Sequence, residues 1–202
     1  MGRQAQRVIA YHIAMSFYGF WLPNDPRGSG SRRVWSEALK PFGPATHVAS
    51  NVSVAERPHD HRLRQLAKSA LKHEPILLDG RQARSVATGF KQFLTVHRIE
   101  CYACAILPDH VHLVIGQTTR SIDRCLTGLK AAAVHQLNID GLHPCSQALN
   151  ESGGISKLFA RGGRHVFLFD ETSVASRVQY VNDNPVEAGL PKQTWHFVVP
   201  FA

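Results

Sequence analysis

The run Leu107-Pro108-Asp109-His110-Val111-His112-Leu113-Val114-Ile115 carries two imidazoles two residues apart. About seventy residues on, Val178-Gln179-Tyr180-Val181-Asn182-Asp183-Asn184-Pro185-Val186-Glu187-Ala188-Gly189-Leu190 carries a phenol and an amide four residues apart. On a strand, residues two apart share a face, so His110 and His112 point one way and Val111, Leu113 and Ile115 the other. Two imidazoles so placed can hold one divalent ion. On a helix, residues four apart lie one turn from each other, which aligns Tyr180 with Asn184, and Arg177 joins them from three residues before. A phenol can serve as a covalent nucleophile. The set suits metal-assisted phosphodiester cleavage through a tyrosine. A plainer reading stands beside it: two solvent-facing histidines, a tyrosine at the rim of a helix, and an asparagine that ends the helix before Pro185. Spacing alone leaves both open.

The elements that must position these groups follow from periodicity. Val8 to Tyr18 alternates, with Ile9, Tyr11, Ile13, Met15 and Phe17 on one face and Ala10, His12, Ala14 and Ser16 on the other; this predicts a half-buried strand. Residues 20–80 read as an insertion packed on the main domain. They open with a Pro-, Gly- and Ser-rich loop and hold a helix from His61 to His73, closed by Pro75. Gln82 to His97 is an amphipathic helix with Val86, Phe90, Phe93 and Leu94 on its stripe. Ile99–Leu107 and His110–Gly116 are strands joined tightly at Pro108-Asp109. Ser121, a candidate N-cap, opens a helix to Leu137 with Ile122, Cys125, Leu126, Leu129 and Ala133 buried. Residues 138–164 are polar and Gly-rich loop, His165–Phe169 is a short strand, and Glu171–Asn184 is a last helix stopped by Pro185. The order βαββαβ with one appended helix is that of the ferredoxin-like α+β fold, an antiparallel sheet with helices on one face. The histidines would then project from the open face, and the appended helix would carry the tyrosine.

Bulk properties narrow the partners. The chain has 202 residues, 44% of them hydrophobic, enough for a proper core. With 23 basic and 15 acidic residues the net charge is +8, which favours a polyanion, nucleic acid first. Cys101 and Cys104 form a lone Cys-x-x-Cys with no second pair to complete a zinc site, and they read as buried free thiols like Cys125 and Cys145. No run approaches the roughly 20 apolar residues of a membrane helix. With no segment that reads as a signal peptide, the expectation is a soluble cytoplasmic protein with no membrane partner. Arg32, Arg33, Arg161 and Arg164 are candidate phosphate contacts, as is Arg177. Trp21, Trp35 and Trp195 are either base-stacking platforms or packing groups. His12 either joins the imidazole pair, if its strand lies beside theirs, or is simply polar. His59 and His61 form a second His-x-His with no strand to fix it.

The two motifs together resemble a known family. Leu107–Ile115 is similar to the HUH motif (His, a bulky hydrophobic residue, His) of the small single-tyrosine transposases. Tyr180-Val181-Asn182-Asp183-Asn184-Pro185 with Ala188-Gly189-Leu190 resembles the segment that carries their tyrosine, most of all in the REP-associated tyrosine transposases. Phe17-Tyr18-Gly19-Phe20-Trp21-Leu22-Pro23-Asn24-Asp25-Pro26-Arg27-Gly28 resembles the opening of many members. The likeness covers most of the chain, least so residues 35–75 and 138–155. It implies one HUH nuclease domain over residues 1–202, with Tyr180 as nucleophile and His110, His112 and Asn184 as ligands of Mg²⁺ or Mn²⁺. It further implies cleavage and rejoining of single-stranded, hairpin-forming DNA through a 5′-phosphotyrosine link, by a monomer or a homodimer. The alternative is a domesticated DNA-hairpin binding protein in which cleavage is lost. A replication-initiation or relaxase nuclease usually carries a further domain, for which 202 residues leave little room.

The charge and the resemblance make a joint prediction. Activity should require single-stranded, hairpin-forming DNA, with duplex a poor substrate, and binding should weaken steeply as salt rises, because each neutralised phosphate releases counterions. Filter binding across a salt series checks the binding, and a flat response would rule out the electrostatic reading.

Overall fold

The computed structural model describes residues 7–26, 33–34, 36–45, 58–145 and 157–202. Its elements are β1 (Ala10–Ser16), a 3-10 turn (Glu37–Phe42), α1 (His61–Ser69), α2 (Gly80–Val96), β2 (Cys101–Ile106), β3 (His110–Gly116), α3 (Ile122–Ile139), β4 (Arg164–Leu168) and α4 (Glu171–Glu187). The strands form one antiparallel sheet in the order β2-β3-β1-β4. Strands β1 and β2 run parallel with β3 between them, as the βαββαβ order predicts. Among the described residues no helix is long and apolar enough to cross a membrane.

Two cores lie on the two faces of this sheet. On one face Ile13, Met15, Phe17, Val111, Leu113 and Ile115 meet the stripes of α2 (Val86, Phe90, Leu94) and α3 (Ile122, Cys125, Leu126, Leu129, Ala133). On the other, Ala10, Ala103, Ala105, Val114 and Leu168 meet Val174 and Val181 of α4. The sheet is therefore covered on both sides, and β1 is buried along both faces rather than half-buried. The expectation of an open histidine face is corrected by this. The face has small side chains at four strand positions, Ala10, Ala14, Ala103 and Ala105, so a helix can approach it even though its valine stripe is short.

Helix ends follow local chemistry. Asp79 and Gln82 form a reciprocal capping box, which starts α2 at Gly80, two residues before the apolar stripe suggests. Asp170 accepts from the Ser173 amide and starts α4. Ser121 occupies the N-cap of α3 without a capping bond from its hydroxyl. Helix α4 does not stop at Pro185 but runs through it to Glu187. A proline this close to the end removes only its own amide bond, and the amides of Ala188, Gly189 and Leu190 close the end onto Asn184, Val186 and Pro185.

The insertion returns to the sheet beside the histidine motif. The Ile76 amide donates to the Tyr18 carbonyl and the Leu78 amide to the Pro108 carbonyl, and both side chains enter the first core. Buried Asp25 pairs with Arg64 of α1 at 3.3 Å, tying the loop after β1 to that helix. The chain end lies along β2, where Gln193 bonds both backbone groups of Ile106 and the Val199 amide donates to Cys101. All four cysteines are free and buried. Burial pushes the Cys101 thiol up to about 12 and Cys104 well above the usual range, so this Cys-x-x-Cys is inert packing.

Helices α2 and α3 approach closely at glycine. A Cβ on Gly89 would stand 2.5 Å from the Ala132 carbonyl oxygen, a backbone atom that cannot swing aside, whereas one on Gly80 would meet nothing within 4 Å. Gly89→Ala should therefore destabilise by about 1–3 kcal/mol, while Gly80→Ala should be neutral or stabilise by up to about 1 kcal/mol. Urea unfolding of the two variants checks this, and equal midpoints would deny the close approach.

Candidate active site

The site grows from the register of β3. His112 has Ala14 of β1 and Ala105 of β2 as its cross-strand partners, and Ala14 in turn has Arg164 of β4. A single row across the sheet thus reads Arg164, Ala14, His112, Ala105. His110 stands opposite Ser16 at the end of β1, and His12 lies two residues along β1 from Ala14, diagonal to His112 on the same face. Helix α4 lays Tyr180 over this row.

The rings converge. Tyr180 meets His112 edge to face with centroids 5.5 Å apart and meets His12 at 6.0 Å. His110 and His112 are 4.8 Å apart and nearly perpendicular. The Arg177 guanidinium stands 5.5 Å over the Tyr180 ring, within cation–π range. His12 Nε2 and His112 Nδ1 are 3.0 Å apart in a buried hydrogen bond. His110 Nδ1 bonds Asp109 Oδ1 at 2.6 Å. Each motif histidine thus has its Nδ1 engaged, and its Nε2 is the remaining nitrogen. This is the usual arrangement of a ligating imidazole, whose other nitrogen is held by a carboxylate or a similar partner. Among the described residues no three His, Cys, Asp or Glu side chains gather as a metal cluster. The donor set therefore fits a divalent ion through two imidazoles, with further oxygens from an amide, water or a phosphate.

Burial and nearby guanidiniums disfavour the charged form of His12 and His112. Burial, then Arg177 and Arg164, push His12 down to about 3. Burial first, then His110, His12, Arg177 and Arg164, hold His112 well below the usual histidine range. Neutral imidazole is the form a metal needs. Burial also lowers Arg177, whose charge Tyr180 favours and Arg164 opposes. Two guanidiniums beside a phenol and two neutral imidazoles make a place for an anion.

The remaining candidates sort by position. Asn184 lies one turn beyond Tyr180 on α4, half-buried, its carbonyl accepting from Ala188. Arg33 and Arg161 line one cavity of about 610 Å³, with Tyr18, Phe20, Trp21 and Lys72, away from the Tyr180 ring. Arg32 and Trp35 lie outside the described residues. Trp195 is a packing group, its indole donating to the Cys104 carbonyl. His59 and His61 flank Asp60, the N-cap of α1, and His59 bonds Arg64, so that pair belongs to a helix start. Trp21 faces His110 at 6.1 Å. It adopts a left-handed φ of 55° and its Nε1 is buried without a partner among the described residues. A bulky residue at such φ costs about 1–3 kcal/mol and marks a constrained loop.

Two contributors were hidden in the sequence. Asp109 read only as part of a turn, yet it holds His110. For His12 the signal is the split element order, which puts β1 beside β3 and so brings His12 to His112.

No protein-family model matches the chain. No curated protein matches it either. Solved structures that resemble the chain include two whose likeness spans most of it. One is a REP-associated tyrosine transposase bound to a REP hairpin, 12% identical, with a TM-score of 0.47 over 98% of this chain and 80% of that one. The other is a protein of Deinococcus radiodurans R1 provisionally named a transposase, 15% identical, with a TM-score of 0.42 over 91% of this chain and 95% of that one.

The buried imidazoles fix a pH dependence. The unfolded chain takes up histidine protons near about pH 6.5, while His12 in the folded chain does so only near 3. The unfolded state binds more protons in that window, so stability is full above the unfolded value and falls as pH falls towards the folded one. The slope approaches about 1.4 kcal/mol per pH unit for each such histidine. Urea unfolding of metal-free protein should show a midpoint that drops between about pH 6.5 and 5. A level midpoint would place these imidazoles in water.

Proposed function

We propose that this protein is a transposase-like DNA strand transferase that cleaves and rejoins single-stranded DNA through Tyr180. The observation that carries the reading is the edge-to-face contact of Tyr180 with His112, with Arg177 above the phenol. Distant segments of the chain, each bearing one motif, meet within one ring contact. The hairpin form of the substrate follows from the motif resemblance alone.

His110 and His112 would hold a divalent ion, Mg²⁺ or Mn²⁺, with the Asn184 amide as the third protein ligand that the motif resemblance implies. Such an ion, when bound, polarises the scissile phosphate as a Lewis acid. Arg177 and Arg164 orient the phosphate and offset its charge. Tyr180 Oη attacks phosphorus, the P–O3′ bond breaks, and the phenol proton leaves to water. The O3′ takes up a proton as it departs, giving a free 3′-OH and a 5′-phosphotyrosine. Attack by a second 3′-OH reverses the step and releases Tyr180. The covalent link keeps the bond energy, so no nucleotide cofactor is required. Arg33, Arg161 and Trp21, around the neighbouring cavity, receive the strand on one side of the cut through phosphate contact and stacking.

Incubation with labelled hairpin DNA and Mn²⁺, followed by a denaturing gel, tests the reading. Wild type should form a protein–DNA adduct that maps to Tyr180. Tyr180→Phe, which removes only a hydroxyl, should fold normally and form none. His110→Ala and His112→Ala should lose cleavage by at least about 100-fold, as loss of a metal site requires, while keeping most DNA affinity, which phosphate contacts supply. Adduct on another residue would overturn the nucleophile. Tight hairpin binding with no adduct in wild type would instead identify a binding protein descended from a nuclease.

A further inference from the structure

We propose that His12 is a positioning residue for His112: its Nε2 accepts the Nδ1–H of His112 and so leaves His112 Nε2 bare for a metal. The inference rests on the reading of His110 and His112 as ligands. It also explains a residue that reading does not use.

The geometry is specific. The two ring nitrogens are 3.0 Å apart, the rings stack at 22° with centroids 5.1 Å apart, and both side chains are buried. One proton lies between the two nitrogens. If His12 Nε2 carried it, His112 would have to hold its own proton on Nε2 and could offer no lone pair there. If His112 Nδ1 carries it, Nε2 is the free donor. His110 shows the same arrangement: its Nδ1 faces Asp109 Oδ1, an oxygen that accepts when the carboxylate is ionised, so in a neutral ring the lone pair lies on Nε2. Histidine 12 thus does for one ligand what Asp109 does for the other. A carboxylate in place of His12 would need charge compensation in a buried position, whereas a neutral imidazole accepts the proton without adding a negative charge.

The surroundings give His12 no other evident purpose. Position 12 lies in register with Val114 of β3 and Val166 of β4, amid a hydrophobic cluster that includes Ala10, Ala103, Ala105 and Leu168, and beside it the Tyr180 ring is in edge contact and the Arg177 and Arg164 charges act on it, yet His112 is the group whose ring nitrogen it bonds. An aliphatic residue suits such a place better unless a polar neighbour needs a partner. That neighbour is His112. The ring of His12 also meets Tyr180 at its edge, so the same side chain backs both the ligand and the phenol.

Two substitutions separate positioning from packing. His12→Leu fills the space but cannot accept a proton; His12→Gln places Oε1 where Nε2 stands. Mn²⁺ titration by calorimetry should show affinity lowered about 10–100-fold in His12→Leu, the usual cost of losing such a partner, and largely restored in His12→Gln. Nitrogen-15 spectra of metal-free wild type should show His112 protonated on Nδ1. Equal loss in both variants would reduce His12 to packing, and unchanged affinity in His12→Leu would overturn the proposal outright. A His112 protonated on Nε2 in wild type would do the same, and it needs no variant that folds. Wild type that binds no Mn²⁺ would remove the metal reading and with it the purpose of the contact. The His112 tautomer, read without metal, separates that failure from a misassigned hydrogen bond.

Discussion

The docking of α4 on the second face of the sheet is the contact on which the candidate site depends. Without it, His12 and His112 would face water on an open sheet, and Tyr180 would have no fixed relation to either. Three buried residues hold the helix there: Val174, Val181 and Pro185. Fully burying a valine is worth about 1.5–3 kcal/mol, so the helix is anchored firmly but by few groups. The sheet makes this possible through small side chains. Ala14 and Ala105 flank His112 on its neighbouring strands, so the imidazole stands in a shallow trough across which a helix can lie.

That arrangement also sets the electrostatics. Burial alone disfavours the imidazolium, and the guanidiniums of Arg177 and Arg164 reinforce it. The helix that brings the phenol thus brings a cation, and that cation adds to the burial that lowers His112. A divalent ion placed among those charges would be repelled unless an anion came with it. On the proposed reading, a metal would therefore have to arrive together with phosphate, whose oxygens would add to the few donors the protein offers.

The parts legible in the sequence were those with a period. Strand alternation placed His110 and His112 on one face, helical spacing aligned Tyr180 with Asn184, and the element order gave the antiparallel sheet. What escaped depended on tertiary contact. Alternation in β1 marks Ala10, His12, Ala14 and Ser16 as the polar or small face, and small residues on a strand look the same beneath water as beneath a helix. The reach of α4 past Pro185 turned on how few bonds a proline disturbs near a helix end. The start of α2 turned on Asp79 and Gln82, a capping pair that lies outside the apolar stripe. Trp195 could not be told from a stacking platform until its indole was seen to bond Cys104.

The two faces of the sheet divide the work. On the first, α2 and α3 bury long stripes of Val, Leu, Ile and Phe against Ile13, Met15, Val111 and Leu113, and this core carries most of the stability. On the second, the same strands present alanines and imidazoles, and the covering helix contributes a phenol and a guanidinium. Because β1 and β3 are fixed by the first core, the second face can spend burial on polar groups that cost stability there. Alternation along one strand is what couples them: each residue that faces the first core fixes, one position away, a residue that faces the site. Met15 and Ile13 hold His12 and Ala14 in register in this way, and Val111 and Leu113 hold His110 and His112.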